Sequence, residues 1–258
     1  MSIITLTTDF GYDDWYVGAM KGVILSINLK VTLVDITHNC PSGDIMSGAF
    51  IIKNSDYFPQ NTIHIIVVDP GVGSSRIPLI AKLSNNQIYV LPDNGLLTLL
   101  LQKHSLVEAF AIENHKFMLN SISNTFHGRD IFAPAAAYAS TGINISEFGR
   151  PINDLVQLSI QPIEKIENSI SGTIVYIDKF GNLISNIHNS FINKKILLAR
   201  LKNYTINQVG YKFCDVGRNE SVVIFSSDGY IEIAVNLGSA KNIYNVEVGE
   251  KMIIEFDN

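Results

Sequence analysis

The stretch Ile63-His64-Ile65-Ile66-Val67-Val68-Asp69-Pro70-Gly71-Val72-Gly73 decides the reading of the fold. Ile63 to Val68 is almost wholly apolar and β-branched, the composition of a strand buried on both faces. It ends in an acid followed by Pro70 and Gly71, residues that turn the chain. A strand hidden on both faces asks for helices above and below a mostly parallel sheet. The flanking segments supply them. Ile3 to Thr7 and Val31 to Ile36 read as further strands, and Gln87 to Leu91 as another. Between them, Trp15, Ala19, Val23 and Ile27 recur about one helical turn apart. Asp44 is placed to cap a helix running to about Tyr57. A Leu-rich helix follows Asp93-Asn94-Gly95, and an Ala-rich one follows a turn at Gly128. The expected fold is α/β, with an N-terminal mostly parallel sheet sandwiched by helices.

The pattern changes after Gly149-Arg150-Pro151. Gly172 to Ile177, Val222 to Ser226, Tyr230 to Val235 and Met252 to Phe256 are short β-branched runs separated by turns. They imply a smaller β domain, a barrel or a sandwich. The expected division is an N-terminal domain over 1–156, a linker over 157–167 and a β domain over 168–258.

A chain of 258 residues with 47% hydrophobic residues can bury a large core without a disulfide or metal staple. Its net charge of −5, with no basic cluster, argues against a nucleic-acid partner. No apolar run reaches the ~18 residues of a membrane helix. The start, Met1-Ser2-Ile3-Ile4, lacks the basic and apolar regions of a signal peptide. Two isolated cysteines, Cys40 and Cys214, fit a reducing compartment. The expected location is cytoplasmic.

In open parallel sheets, ligands bind beyond the carboxyl ends of the strands. Polar turns stand there: Thr8-Asp9-Phe10-Gly11, Asp69-Pro70-Gly71-Val72-Gly73 with Arg76 after it, and Pro92-Asp93-Asn94-Gly95. Phe126-His127-Gly128-Arg129-Asp130 is a fourth. Each has an ordinary structural reading: Asp9 and Asp69 as turn formers, Arg76 as a surface charge, His127 as a structural histidine, Arg129 and Asp130 as an ion pair. Their shared placement raises the functional reading. Gly71-Val72-Gly73-Ser74-Ser75-Arg76 fails as a dinucleotide fingerprint because Arg76 replaces the third glycine. No P-loop, nucleophile elbow or zinc motif is present, so a metal-free, cofactor-free mechanism is favoured.

These turns, together with Ile177-Asp178-Lys179-Phe180-Gly181-Asn182 and Ser227-Asp228-Gly229-Tyr230-Ile231-Glu232-Ile233-Ala234-Val235-Asn236, give the sequence its resemblance. It resembles the S-adenosylmethionine hydroxide adenosyltransferases, relatives of the fluorinases and chlorinases. The resemblance implies an antiparallel β-barrel as the second domain and a homotrimer with active sites between subunits. It implies hydrolysis of S-adenosylmethionine to adenosine and L-methionine, with a possible preference for the (R)-sulfonium epimer. The implied catalytic set is Asp69, Arg76 and His127. Asp9 would hold the ribose hydroxyls. Asn182 and Phe180 would meet the base, completed by backbone around Val235. Asp178, Ser227 and Glu232 would face the adenosyl or methionine groups.

Water is a weak nucleophile, so such a site must supply positive charge and a proton acceptor. Arg76 would stabilise the oxyanion, Asp69 take the proton, and His127 orient the water or share the stabilisation if charged. The sequence departs from the fluorinase pattern at Asp69, Val72 and Gly128, and lacks its long insertion. Gly43 stands where an aromatic residue would stack on the nucleoside, and Asp228 where an arginine would face the methionine carboxylate. Asp14 is read as a helix cap or a contact for the methionine ammonium. Alternatives are a halogenase of the same superfamily, a non-catalytic adenosine or S-adenosylmethionine binder, and, least favoured, a methyltransferase.

Overall fold

The computed structural model describes residues 2–257. The chain divides into two compact units, with the division between Leu158 and Ser159. The first unit carries β1 (Ile3–Thr8), α1 (Tyr16–Ile27), β2 (Thr32–Thr37), α2 (Ile45–Ile52) and β3 (Ile63–Val67). It continues with β4 (Pro78–Leu83), β5 (Ile88–Pro92), α3 (Thr98–Leu101), β6 (Leu106–Ala111) and α4 (Ala133–Ser140). The six strands form one sheet in the order β2-β1-β3-β5-β4-β6. β1 is parallel to β2 and β3, and β3 to β5; β4 alone is reversed against its neighbours β5 and β6. The mostly parallel sheet is therefore as expected, and β4 and β6 are additions the sequence reading lacks. β4 returns into β5 through a tight hairpin in which Asn86 adopts φ 59°, a left-handed conformation that asparagine tolerates.

β3 shows why the sheet needs cover on both faces. Ile63, Ile65 and Val67 pack with Met20 and Ile24 of α1 and the alanines of α4. Ile66 and Val68 pack on the other face with Ile52 of α2 and Leu96, Leu97 and Leu100 at α3. Each fully buried side chain of this kind contributes about 1.5–3 kcal/mol.

Asp44 caps α2 as expected: its Oδ1 accepts from Ser47 N at 3.0 Å and Oδ2 from the Ser47 hydroxyl at 2.6 Å. The helix stops at Ile52 rather than near Tyr57, and Ser55–Tyr57 form a separate 3₁₀ turn. Asp14 does not cap α1; Trp15 holds that position with no side-chain bond. The Leu-rich helix shrinks to Thr98–Leu101.

The second unit carries β7 (Glu164–Ile166), β8 (Ser169–Ile177), β9 (Leu183–His188), β10 (Ile196–Leu201), β11 (Tyr204–Ile206), β12 (Ser221–Phe225), β13 (Tyr230–Val235), α5 (Ala240–Tyr244) and β14 (Lys251–Phe256). All strand pairings are antiparallel, in the order β11-β10-β14-β8-β9-β13-β12 with β7 on β8. Beyond β11 the chain reaches the opposite edge: Gly210 N donates to Val223 O at 3.0 Å, and Val223 N to Gln208 O at 2.8 Å. The sheet thus closes nearly into a barrel around Ile170, Ile174, Leu183, Ile187, Ile231 and Ile233. β7 lies in the stretch read as linker. Among the described residues, no helix is long and apolar enough to cross a membrane.

Replacing Asp44 with Ala leaves the Ser47 N–H at the start of α2 without its acceptor. The expected cost is about 1 kcal/mol of stability, read from the midpoint of urea unfolding with the slope unchanged.

Candidate active site

β1 and β3 are parallel neighbours, paired from Ile4↔Ile63 to Thr8↔Val67. Both strands therefore end at one level, and the residues that follow them, Asp9 and Asp69, enter the same cleft. That cleft, of ≈ 450 Å³, is lined by Asp9, Phe10, Gly43, Asp69, Phe126 and His127 among others. The sheet end is buttressed from the β5 side, where Asn94 donates its side-chain N–H to Val68 O at 3.0 Å. Asp93 turns away from the cleft to accept from Val156 N at 3.0 Å.

The loop after Asp69 folds tightly. Val72 N donates to Asp69 O and Ser74 N to Gly71 O. Gly73 has φ 77°, and a Cβ there would stand 2.4 Å from Asn124 O, so only glycine lets the two loops meet. This fold brings Arg76 back over Asp69. Arg76 Nε donates to both carboxylate oxygens, at 3.1 and 3.0 Å, and Nη2 donates to Oδ2. Nη2 also lies 2.7 Å from His127 Nδ1. A guanidinium has only donors, so Nδ1 accepts and the His127 proton sits on Nε2. Burial first, and the Arg76 charge next, hold the His127 pKa below its ordinary value, against the pull of Asp69 and Asp130. His127 is therefore neutral at physiological pH, which removes the charged role left open above. Arg76 Nη1 is buried with no partner. It is a charged donor with nothing of the protein to bind.

His127 is held from below. Gly128–Phe132 form a single π-helical turn leading into α4. Inside it, fully buried Asp130 accepts from Ser123 N and Oγ, both at 2.8 Å, and from Arg129 Nε at 2.6 Å. Burial pushes the Asp130 carboxyl up, but Arg129 and Ser123 outweigh it and hold it low. The expected Arg129–Asp130 ion pair is thus present, and the Ser123 bonds tie the preceding loop to this turn.

Asp9 Oδ2 accepts from Gly43 N at 2.8 Å. Burial raises its pKa against that bond, with the Asp69 charge adding to the rise. Phe10 and Phe126 line this cleft and a second cavity of ≈ 370 Å³ with Trp15, Tyr16 and Arg129. Their rings meet at 5.8 Å in an edge contact. Sequence reading gave these aromatics no role; their spacing in the chain does not show that they share a wall.

The remaining expected residues lie in the second unit. Asp178 Oδ1 accepts from Phe180 N and Asn182 N, and Oδ2 from Asn182 Nδ2, each at 2.9 Å. That ring of bonds shapes the turn between β8 and β9 and leaves Phe180 64% exposed. Ser227 is exposed in the turn before β13. Val235 packs its side chain in the barrel core, so only its backbone is available to a ligand. Glu232 is 5% exposed, and its Oε1 has no partner. Burial, reinforced by Asp178 and Asp228, pushes its pKa up to about 7. Among the described residues, no group of three or more His, Cys, Asp or Glu is arranged to hold a metal ion.

The raised Glu232 pKa has a signed consequence. Its stabilising protonated form is present below about 4.5 and is lost as pH rises through about 7. Glu232→Gln should therefore leave stability unchanged at low pH and raise it by up to about 3 kcal/mol at pH 8, measured by denaturant unfolding at both values.

Known proteins resemble this chain in both of its units. Residues 4–149 match the SAM hydroxide adenosyltransferase N-terminal domain, and residues 172–253 its C-terminal domain. The chain is 31% identical to the (R)-S-adenosyl-L-methionine hydrolase of Methanocaldococcus jannaschii, over 96% of this chain and 93% of that protein. It is 32% identical to the enzyme of the same name from Salinispora tropica, over 96% of each. A fluorinase from an Actinoplanes species is 28% identical over 96% of this chain and 95% of its own. The crystal structure of an uncharacterised conserved protein from Thermotoga maritima superposes with a TM-score of 0.90 at 33% identity, covering 97% of this chain and 99% of that one. Matched in both of its units, the chain belongs to the SAM hydroxide adenosyltransferase family.

Proposed function

We propose that the chain hydrolyses S-adenosylmethionine at ribose C5′, with preference for the (R)-sulfonium epimer, giving adenosine and L-methionine. The observation that carries this reading is the Asp69–Arg76–His127 hydrogen-bonded chain, with Arg76 Nη1 buried and unpartnered beside it. The names of the hydrolase relatives support the same reaction.

The sulfonium is a cationic leaving group, so C5′ is already activated. The difficulty lies with water. In this reading the water accepts from Arg76 Nη1 and from His127 Nε2–H, which fix its oxygen and stabilise negative charge on it, and the electron pair freed from the O–H bond as Asp69 takes the proton attacks C5′. Asp69 takes the proton, since Oδ1 receives a single guanidinium bond. The O–C5′ bond forms as C5′–S breaks. The electron pair goes to sulfur, which leaves as the neutral thioether of methionine. Holding this water in line with sulfur can lower the barrier by up to ~7–11 kcal/mol. Asp9 accepts from the ribose hydroxyls. A carboxylate at position 69 opposes a halide in the same place, which favours water over halide as nucleophile.

Asn182, Phe180 and the backbone at Val235 are proposed to recognise the base, and Asp178, Ser227 and Glu232 the adenosyl or methionine groups. The same reading takes the protein as a cytoplasmic homotrimer with active sites between subunits, using no cofactor. The free thiols of Cys40 and Cys214 support that compartment.

A racemic sulfonium mixture incubated with the protein without halide, and analysed by chromatography, should yield adenosine and methionine in equal amounts. The (R) epimer should disappear first, and Asp69→Ala should make neither product. Intact epimers with adenosine still bound would instead mark a non-catalytic binder. Activity should persist as pH falls to the ordinary histidine value near 6.5 and be lost below it. Protonated Nδ1 can no longer accept from Arg76, and the pKa of His127 is lowered. A midpoint above the ordinary value would contradict the neutral His127 assignment.

A further inference from the structure

Beneath the Asp9 turn lies a buried polar network that the proposed chemistry does not use. Thr8 and His38 are both fully buried. Thr8 Oγ1 is 2.8 Å from His38 Nδ1 and accepts from Phe10 N at 3.3 Å. On the other side of the ring, His38 Nε2 lies 3.1 Å from Asp35 Oδ1. Neither atom has a hydrogen-bond partner elsewhere, so the two face each other. Asp35 Oδ2 in turn accepts from Lys21 Nζ at 2.6 Å and from the Tyr12 hydroxyl at 3.3 Å. The backbone adds two ties: Gly11 N donates to His38 O at 2.7 Å, and Cys40 N donates to Thr8 O at 3.3 Å.

The protons in this network have one arrangement. Asp35, paired with Lys21, is an acceptor. A bare Nε2 facing Asp35 Oδ1 would set a lone pair against a carboxylate, so Nε2 carries the ring proton. Nδ1 is then the acceptor, and Thr8 donates to it. With its proton committed to the ring, Thr8 Oγ1 offers a lone pair to Phe10 N–H. The direction therefore runs from Phe10 N–H to Thr8 to His38, and from His38 to Asp35. Burial, the largest influence, lowers the His38 pKa and keeps the ring neutral, as this order requires.

Asp9 stands in the middle of these ties. The residue before it is fixed by the His38 ring, the next N–H by the Thr8 hydroxyl, and Gly11 by the His38 carbonyl. We propose that His38, acting through Thr8, is a positioning residue that fixes the Asp9 carboxylate for a ribose diol. The role rests on the reading of Asp9 given above. His38 touches neither the cleft nor a reacting atom, and it is a positioning residue rather than a catalytic one.

The test compares adenosine with 2′,3′-dideoxyadenosine, titrated calorimetrically into the whole protein and its Thr8→Val, Asp9→Asn and double variants. Val keeps the shape of Thr and replaces the hydroxyl with a methyl group. Thr8→Val should weaken adenosine binding about fivefold, the size of one lost hydrogen bond, and change dideoxyadenosine binding by less than about twofold. In the Asp9→Asn background it should have no further effect on adenosine, the pattern of two residues acting as one. Equal weakening of both nucleosides, or a full additional loss in the Asp9→Asn background, would overturn the proposal and leave the network a purely structural one. If the wild type bound both nucleosides equally, the Asp9 reading itself would fail and take the proposal with it. Nitrogen NMR of the ring gives a second check that needs no variant: Nε2 protonated is expected, and a proton on Nδ1 would overturn the assignment.

Discussion

Two parallel strands side by side, β1 and β3, end in register, and an aspartate follows each within two residues: Asp9 directly after Thr8, Asp69 after an intervening Val68. The rest of the site answers the difficulty this creates. Two carboxylates in one partly buried cleft repel each other and lose hydration. The structure resolves this unequally. Asp69 receives a doubly bonded arginine, whereas Asp9 receives a single backbone N–H and has its pKa raised. Arg76 can reach Asp69 only because the 69–76 loop doubles back past Gly73. Its Nη2, shared between Asp69 Oδ2 and His127 Nδ1, then fixes the tautomer of His127. The chain therefore runs from strand register, to loop geometry, to the tautomer of His127.

Support for this cleft is structural rather than chemical in origin. Asp130 anchors the loop that carries His127, Asn94 fixes the end of β3, and the Thr8–His38–Asp35 network lies beneath Asp9. Asp130, Thr8 and His38 are fully buried, and Asn94 and Asp35 are half-buried. A first ring of residues is held near its working geometry only when such a second ring locks it.

Much of the fold was legible because it rests on local composition. The apolar run at Ile63–Val67 and the acid that follows it mark a buried parallel strand, and the helical spacing from Trp15 to Ile27 marks α1. β4 was not legible, since Pro78–Leu83 has the same apolar character as a parallel strand and its reversal depends on pairing with β5 and β6. β11 is only three residues long, and β9 and β10 are placed in the barrel by partners distant in the chain. The π-helical turn at Gly128–Phe132 has no residue signature, and the Asp130 bonds within it reach seven residues back, to Ser123. For the site, the residue types at 9, 69, 76 and 127 were legible from their turns, and the resemblance grouped them. Spacing could not show that Arg76 bridges Asp69 and His127, nor that Arg76 leaves His127 neutral. His38 carries no signal in the sequence, because its partners Thr8 and Asp35 lie on two different strands.

The central claim is that water, activated on Asp69, Arg76 and His127, attacks ribose C5′. Its most direct test is turnover of S-adenosylmethionine in ¹⁸O-labelled water, followed by mass spectrometry of both products. The account predicts one ¹⁸O in the 5′-hydroxyl of adenosine and none in methionine. Label in methionine, or adenosine released without label, would contradict it, because the bond broken or the nucleophile would then be a different one.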